Sequence, residues 1–289
     1  MKTLHVDCGR EMRGGQWQVL YLTEQLERAT LMAPESSPLA REARARGLEV
    51  LPLSFGSLYQ AARNADLVHV HDARAHSMAA LAGGAPLVVA RRVGFPMKRG
   101  FFADRKYSTA RMYIAVSKYV AARLAERGIP AERIRVVYDG VPIPARASIA
   151  TAGVVAILKT EREAILTAAE SAGVPVRCVA DLWQDLSTAR VFAYWSEMEG
   201  LGSGALAAMA SGVAVVARRV GGLAELIEHE RTGLLVDRVE EIPAALRRLT
   251  ENPREAAEMG ARAREVAQQK FSQETMAAAT VRVYGEVLG

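Results

Sequence analysis

A glycine-rich segment in the second half of the chain carries the residues best suited to chemistry. Within residues 196–236, the carboxylate of Glu199 precedes a turn with glycines at 200, 202 and 204, and a short Ala-rich helix is predicted to follow. Backbone N–H groups at the start of a helix bind phosphate, and a carboxylate binds hydroxyl groups. This pattern predicts a site for a nucleotide sugar. Its predicted donor-binding residues are Gly200, Leu201, Gly202, Ser203, Gly204 and, after a second glycine turn, Glu225.

Two further groups of residues could contact the phosphates of such a ligand. Gly14 and Gly15, with Arg13 before them, lie where the first strand leads into the first helix. Glycines there let a backbone approach phosphate closely, although an ordinary tight turn is the alternative. Lys159 and Arg162 follow a strand in the second half and could neutralise a pyrophosphate leaving group. Exposed cations in the first turn of a helix are the alternative for these two.

A histidine-rich segment, VHVHDARAH at residues 68–76, ends another predicted strand. His69 and His71 alternate with valines and therefore share one face of that strand. Metal binding is one interpretation, but the chain has only 5 histidines and we predict no metal site and a metal-independent reaction. We expect His71 or Asp72 to face a substrate instead, with a structural role as the alternative.

The next strand ends in two arginines, Arg91 and Arg92, which we predict to bind the acceptor. Beyond them, residues 94–107 read GFPMKRGFFADRKY, a mixture of cations and aromatic rings that we interpret as a loop. That composition suits a lipid interface or an anionic acceptor, and the alternative is a solvated loop whose rings pack inward. No aromatic strand motif for RNA is present, so we expect no nucleic-acid partner.

Short apolar strands alternate with amphipathic helices along most of the chain, which predicts parallel sheets covered by helices on both faces. The predicted strands are 3–6, 48–53, 67–71, 87–90, 113–116 and 135–138, then 154–158, 176–179, 191–193, 213–217 and 234–236. The predicted helices of the first half are 17–28, 39–46, 58–64, 74–81 and 118–127. Ligands of such sheets bind at the carboxyl ends of the strands, where the candidate residues lie.

Residues 139–148, DGVPIPARAS, break this alternation and are predicted to link two domains. We predict an acceptor-side domain at 1–145 and a donor-binding domain with the terminal helices at 146–289. The two sheets would face a central cleft. Residues 271–288 have helical apolar spacing and are a candidate for a helix that crosses back to the first domain.

Composition narrows the class of protein. The chain has 289 residues, 50% of them hydrophobic, which is enough for two cores and argues against disorder. No apolar run approaches the ~20 residues of a membrane span, and we see no leader segment, so we expect a cytoplasmic protein. The net charge of +5 fits an anionic ligand, peripheral contact with the inner face of an anionic membrane, or an arginine-rich genome. The distant Cys8 and Cys178 are expected to be free thiols.

Three segments together resemble the glycosyltransferases of family 4, the retaining type with the GT-B fold. Residues 199–236 are similar to that family's donor-site signature, 115–143 to the segment that closes its first domain, and 4–22 to its N-terminal glycine loop. The resemblance implies an α/β chain of two Rossmann-like domains. It implies transfer of a sugar from a UDP-, GDP- or ADP-linked donor to an acceptor hydroxyl with retention, and no cofactor. The acceptor would be a glycan or lipid-linked glycan, as in lipopolysaccharide synthesis.

The resemblance also implies roles for particular residues. The family pairs two glutamates separated by seven residues: the first falls on Glu199, near the donor sugar hydroxyls, and the second on Ala207. Of the arginine and lysine that the family places at the donor phosphates, Lys159 matches the lysine and Arg162 could substitute for the arginine. The predicted catalytic residues are Glu199, Lys159, Arg162, His71 and Asp72.

Several departures from the family support a second hypothesis. Ala207 replaces a carboxylate, the second domain is shortened between residues 169 and 174, and Arg91 or Arg92 stands where many members have a histidine. These changes also fit a catalytically reduced module that binds a nucleotide, a glycan or a partner protein. A dinucleotide-dependent dehydrogenase is excluded because no G-x-G-x-x-G follows the first strand.

Overall fold

The computed structural model describes residues 1–289, which form two α/β units. The first unit consists of Met1–Gly140 together with Gln273–Gly289, and the second of Val141–Ser272. The structure differs from the predicted division at 145/146 chiefly in the last helix, which the sequence assigned to the second domain. That helix belongs to the first unit because its apolar residues, among them Met276 and Tyr284, are buried there. The expected return of the C-terminal helix is confirmed.

The first unit is built on a parallel sheet of seven strands in the order β3-β2-β1-β4-β5-β6-β7. The strands are β1 Thr3–Val6, β2 Ala29–Ala33, β3 Glu49–Pro52, β4 Leu67–Val70, β5 Leu87–Arg91, β6 Met112–Ala115 and β7 Ile134–Val136. The helices between them are α1 Gly14–Glu24, α2 Pro38–Ala45, α3 Phe55–Asn64, α4 Ala73–Ala82, α5 Phe101–Ser108 and α6 Lys118–Glu126.

The second unit is built on a parallel sheet of five strands in the order β12-β11-β10-β8-β9. These strands are β8 Ala152–Leu158, β9 Val176–Cys178, β10 Ala189–Trp195, β11 Ala214–Arg218 and β12 Gly233–Val236. Its helices are α7 Arg162–Ser171, α8 Leu182–Leu186, α9 Ser203–Ala210, α10 Leu223–Leu226, α11 Ile242–Glu251 and α12 Pro253–Lys270. The last helix of the chain, α13 Gln273–Leu288, returns to the first unit.

Two elements were not predicted. Strand β2, ATLMA, was missed because Ala, Leu and Met favour helices and show no alternation, which a parallel strand covered on both faces does not need. Helix α5 lies where we expected a loop. It begins after Gly100, whose φ of +120° few other residues adopt, and none of its side chains is buried.

The apolar side chains of both sheets are covered by helices, as expected for α/β units. In the second unit, Val154, Val191 and Val216 of neighbouring strands pack with Leu246 and Met259 of α11 and α12. Measured by length and hydropathy, every helix falls short of what a membrane span requires. The two cores leave the carboxyl ends of the strands free to carry polar residues.

Candidate functional site

Glu199 lies in the loop that follows β10, and its carboxylate has two partners. The hydroxyl of Tyr194 donates a hydrogen bond of 3.0 Å to Oε1, and the ammonium of Lys159 forms an ion pair with the same oxygen. The residues next to Glu199 in the sequence offer no cation, and its partner Lys159 is 40 residues away. Lys159 follows β8, which is the neighbour of β10 in the sheet, so both residues lie at the same carboxyl edge.

Tyr194 was missed by the sequence reasoning. Burial and the charge of Glu199 both raise the pKa of its hydroxyl, so the phenol stays protonated and acts as a hydrogen-bond donor. The side chain of Glu199 is about one-tenth exposed, whereas that of Lys159 is 49% exposed. The carboxylate is therefore held by a fixed donor, and the cation remains accessible to solvent. A tyrosine in a buried strand needs a partner for its hydroxyl, and this need was the available signal.

The two glycine turns of the second unit pack backbone against backbone. A Cβ added to Gly222 would lie 2.0 Å from the carbonyl oxygen of Gly200, and the N–H of Gly222 donates to the carbonyl of Glu199 at 3.1 Å. Gly202, with a φ of +105°, turns the chain into α9. The close contact between the turns fixes the backbone from which the Glu199 side chain extends.

The other predicted donor residues of this unit take different positions. Ser203 is the first residue of α9, Leu201 is buried, and Glu225 lies half-buried in α10. A Cβ on Gly204 would come within 2.9 Å of the Tyr194 ring, so glycine is needed there for packing. Arg162 is the exposed first residue of α7.

The position of the expected second glutamate is buried. Ala207 lies on α9 and is 1% exposed. Its neighbours along the helix, Leu206 and Ala208, are also fully buried. The helix is therefore apolar on all sides here, and this part of the unit lacks the carboxylate that the resemblance implies.

Three buried histidines form a cluster on the first sheet. His5 of β1 and His69 of β4 are paired in register, and His71 follows β4. Nδ1 of His5 lies 3.0 Å from Nε2 of His71, whose Nδ1 lies 3.1 Å from Nη1 of Arg92. Because arginine can only donate, His71 accepts at Nδ1 and carries its proton on Nε2. That proton is donated to His5, which in turn donates to the hydroxyl of Thr3 at 3.2 Å.

This hydrogen-bond order bears on metal binding. One ring nitrogen from each of the three histidines lies within 4.8 Å of the others. A metal-binding histidine must offer a free lone pair and donates its other N–H to an acceptor. In His71, however, Nδ1 accepts a hydrogen bond from the guanidinium of Arg92 and has no N–H to donate. The proton is on Nε2, the nitrogen that faces His5, so that nitrogen has no free lone pair for a metal. The donor set therefore favours a hydrogen-bonded network over a metal centre, and metal independence stays a prediction.

Burial keeps these rings neutral. It lowers the pKa of His5 to about 3, with a smaller contribution from Arg92, and lowers the pKa of His69 and His71 well below their ordinary range. Nδ1 of His69 lies 2.6 Å from the hydroxyl of Tyr284 on α13, while its Nε2 is buried without a partner. The cluster thus joins the sheet to the last helix.

The two predicted acceptor arginines have different partners. Arg92 forms an ion pair of 3.1 Å with Asp139, and both side chains are almost buried. Burial raises the pKa of Asp139, and the charge of Arg92 opposes that shift. Arg91, in contrast, donates from Nη2 to the carbonyl of Phe95 at 2.6 Å. The structure therefore separates residues that the sequence grouped together.

The carboxylate of Asp72 accepts hydrogen bonds from backbone N–H groups. As the N-cap of α4 its carboxylate accepts from the N–H of Arg74 at 2.7 Å and of Ala75 at 2.9 Å, and it also accepts from Cys8 at 2.5 Å. These bonds give it a structural part in holding α4 to β1, and its catalytic role stays a prediction.

Asp7, directly after β1, is a buried carboxylate that the sequence analysis did not single out. It accepts from the N–H of Gly9 at 2.8 Å and from the amide of Gln16 at 3.1 Å. Burial, the largest effect, and the charge of Asp72 raise its pKa. Its place at the end of the first strand was the signal that could have identified it.

The first glycine pair lies at the start of α1. Gly14 is the first residue of the helix, and exposed Arg13 before it pairs with Glu11 at 2.6 Å. A Cβ added to Gly15 would meet nothing within 4 Å. The chain itself therefore does not require glycine at this position, and the predicted approach of a phosphate remains its proposed reason.

Two family models match separate parts of the chain. "Glycosyltransferase Family 4" matches residues 12–143, and "Glycosyl transferases group 1" matches residues 175–266. Together they include the first glycine pair, His69 and His71 of the histidine cluster, and the Glu199 segment, whereas His5 lies before the first match. Lys159 and Arg162 lie between the two matches.

Curated relatives and solved structures agree with these matches. A stretch of 107 residues, 36% of this chain and 26% of the relative, is 38% identical to an MMP alpha-(1->4)-mannosyltransferase of Mycolicibacterium hassiacum. Another of 110 residues, 35% of this chain and 28% of the relative, is 39% identical to an alpha-maltose-1-phosphate synthase of Mycolicibacterium smegmatis. The chain thus spans about a quarter of the length of these curated relatives.

The fold is shared over the whole chain with a solved structure. Anabaena HepE, crystallised in complex with UDP and glucose, superposes with a TM-score of 0.86 over 99% of both chains at 19% identity. At that identity the likeness shows the fold. With two Rossmann-like units and both family models matched, the chain belongs to the group 1 glycosyltransferases of family 4.

Proposed function

We propose that the protein transfers a sugar from a nucleotide-sugar donor to an acceptor hydroxyl with retention at the anomeric carbon. The observation that carries this proposal is the contact of Glu199 with both Lys159 and Tyr194 at the carboxyl edge of the second sheet. A fixed carboxylate beside an accessible cation suits a ligand with both hydroxyl and phosphate groups.

Each residue of this cluster has a proposed part. Glu199 binds hydroxyl groups of the donor sugar, and Tyr194 holds that carboxylate in place. Lys159, the first N–H groups of α9 and Arg162 bind the donor phosphates. The bond from the anomeric carbon to the phosphate oxygen breaks as the bond to the acceptor oxygen forms. The proton of the acceptor hydroxyl passes to the departing phosphate, so no protein nucleophile or metal takes part.

UDP sugars are the first donors to test. HepE, with the same fold, was crystallised with UDP and glucose, and the curated relatives are named for reactions of mannose and maltose. We propose a glycan or lipid-linked glycan as acceptor, held by residues of the first unit. Exposed Phe101 and Phe102 beside basic Lys98 and Arg99 support contact with an anionic membrane surface.

One observation favours the second candidate, a module that binds without catalysis. Ala207 is buried where the family carries a glutamate, so one hydrogen-bonding group for the nucleotide is lost. Such a loss costs about 1.5–3 kcal/mol of binding when nothing replaces it.

Calorimetric titration with UDP, GDP, ADP and their sugar conjugates tests the proposal, followed by hydrolysis and transfer assays with and without a chelator. We expect one nucleotide to bind and the chelator to leave activity unchanged. Glu199→Gln should abolish turnover, while the matched control Glu197→Gln, two residues earlier and exposed, should not. If no nucleotide binds at millimolar concentration, the transferase proposal fails and the binding module replaces it.

A further inference from the structure

A cavity of about 790 Å³ lies in the first unit between α4, α5 and the segment that joins β5 to α5. This volume is in the range of small-molecule sites. The residues that the sequence analysis assigned to catalysis or to the donor do not line it. The cavity therefore needs an explanation of its own.

The cationic side chains of the cavity have no acidic counterparts in its wall. Four of the lining residues are basic, Arg74, Arg91, Lys98 and Lys106, and none is acidic. Nε of Arg91 is buried without a hydrogen-bond partner, and Lys106 donates only to the carbonyl of Ala73, at 2.8 Å. Burial lowers the pKa of both residues. An anion bound between them would supply the missing partner.

The rest of the wall is apolar and open at the surface. The apolar lining residues include Met78 and Leu81 of α4, Phe102 of α5 and Phe95 of the joining segment. Phe102 is 84% exposed, and the adjacent Phe101 contacts it edge-on at 5.5 Å between ring centroids. Large apolar side chains gathered at the mouth of a cavity indicate an apolar ligand or surface.

We propose that this cavity binds a phosphorylated lipid. The phosphate lies between Arg91 and Lys106, and the hydrocarbon chain runs along Met78 and Leu81 toward Phe102. A free phosphate would leave the apolar wall uncovered, and a neutral sugar would leave the cations without counter-charge. The combination of both features points to one amphiphilic anion.

The position of the cavity connects this lipid to the acceptor. Arg91 is the last residue of β5, so the phosphate lies at the carboxyl edge of the first sheet, where ligands of such sheets bind. If the protein is the transferase proposed above, the phosphorylated lipid is part of its acceptor, which is then a glycan joined to a lipid through phosphate. Phe101 and Phe102 then lie at the side from which the lipid enters.

The test uses decyl phosphate below its micellar concentration as the probe, with the full-length protein in a calorimeter. Decyl maltoside, which is neutral, and inorganic phosphate, which has no chain, are the matched ligands. We expect saturable binding of decyl phosphate with one site per chain. Each matched ligand should bind about tenfold more weakly or worse, because each lacks one of the two contacts.

Variants locate the site. Arg91→Gln and Lys106→Gln should each weaken decyl phosphate binding about tenfold. Phe102→Ser should weaken it as well. The controls are Arg254→Gln at an exposed position of α12 and Ile149→Ser at an exposed apolar position of the second unit, and both should bind as the native protein does.

Three results would overturn the inference: equal affinity for decyl maltoside, equal affinity for inorganic phosphate, or unchanged binding in both cavity variants Arg91→Gln and Lys106→Gln. Thermal unfolding of each variant shows whether it is folded. If Arg91→Gln is not, Arg91→Lys and Lys106→Gln decide the matter.

Parallel titrations with UDP, GDP and ADP separate this inference from the proposed function. If the native protein binds decyl phosphate but none of these nucleotides, the lipid site is supported and the transferase proposal fails. If it binds a nucleotide but not decyl phosphate, only the lipid site is refuted.

Discussion

The polar clusters at the carboxyl edges of the two sheets use their charges in different ways. In the first unit, the side chain of Arg92 is 12% exposed and contacts both Asp139 and His71. In the second, Lys159 pairs with a buried carboxylate of Glu199 but is itself 49% exposed. One cation is enclosed by protein partners, and the other is open to solvent.

The difference indicates which cluster is organised for a ligand. The groups around Arg92 satisfy one another through a continuous chain of hydrogen bonds, so a ligand there would have to break protein contacts. Lys159 can turn from Glu199 to a phosphate because the Tyr194 hydroxyl still donates a hydrogen bond to the carboxylate that the cation leaves. We therefore propose that the donor sugar binds in the second unit and that the network of the first unit has a positioning role.

Replacing Arg92 or Lys159 by an uncharged residue should give the largest difference between the two clusters. Arg92→Met leaves the Asp139 carboxylate buried without its partner, and we expect a loss of about 3–5 kcal/mol in the free energy of unfolding. Lys159→Met removes a half-exposed cation from a carboxylate that keeps its hydrogen bond from Tyr194, and should cost about 1 kcal/mol or less. Urea denaturation of both variants measures the two values. Equal losses would show that the clusters do not differ as described.

Placing a carboxylate at Ala207 tests whether the second unit retains a space for the missing glutamate. Because the residue is 1% exposed, Ala207→Glu should lower the free energy of unfolding by about 2 kcal/mol or more. The control Ala261→Glu lies at an exposed position of α12 and should change it by about 0.5 kcal/mol at most. A stable Ala207→Glu protein with tighter nucleotide binding would contradict the buried assignment.

Gly222 of the second unit and Gly15 of the first should respond differently to an added methyl group. At Gly222 a Cβ meets the backbone of Gly200, so Gly222→Ala should cost about 1–3 kcal/mol and disturb the Glu199 loop. At Gly15 there is open space, so Gly15→Ala should fold as well as the native protein. Thermal unfolding compares the two variants. If Gly15→Ala is well folded but binds nucleotide more weakly, the predicted contact of Gly15 with phosphate is supported. If Gly15→Ala is markedly less stable than the native protein, the space around Gly15 is not open as described.

Acid should weaken the first unit through its histidines. Their folded-state pKa values are lowered by burial, so below pH about 6.5 the unfolded state takes up protons first and stability falls, down to about pH 3 where folded His5 protonates. His69→Gln removes one such group. We expect the free energy of unfolding of this variant to fall less steeply with falling pH than that of the native protein. The two slopes should differ by up to about 1.4 kcal/mol per pH unit between pH 6.5 and 5.

The two buried aspartates of the unit titrate in the opposite sense. The pKa values of Asp7 and Asp139 are raised, so protonating these carboxylates stabilises the fold as the pH falls. Both aspartates are present in the native protein and in His69→Gln, so the difference between the two curves isolates the histidine. Parallel curves in urea denaturation at several pH values would contradict the neutral cluster.

Much of the fold follows from local sequence patterns. Short apolar runs alternating with amphipathic helices predicted the two parallel sheets, and the apolar spacing of the last helix predicted its return. Strand β2 and helix α5 were missed because their residue types favour another structure: Ala and Met in the strand, and interleaved cations and rings in the helix.

The site was only partly predictable because its contacts are long-range. Glu199 and Lys159 were both expected at the donor, but they are 40 residues apart in sequence and meet because β8 and β10 are neighbours. The order of strands in a sheet cannot be predicted from a local sequence pattern. The pairing of Arg92 with Asp139, 47 residues on, was missed for the same reason.

The most direct test of the account compares two ligands on one variant. Calorimetry should give the affinities of native protein and Glu199→Ala for UDP and for its sugar conjugate, or for the pair whose base binds. We predict that Glu199→Ala loses affinity for the nucleotide sugar by about tenfold or more, because a charge-assisted hydrogen bond is removed, while affinity for the bare nucleotide changes little. Equal losses for both ligands, or none for either, would contradict the placement of the donor sugar at Glu199.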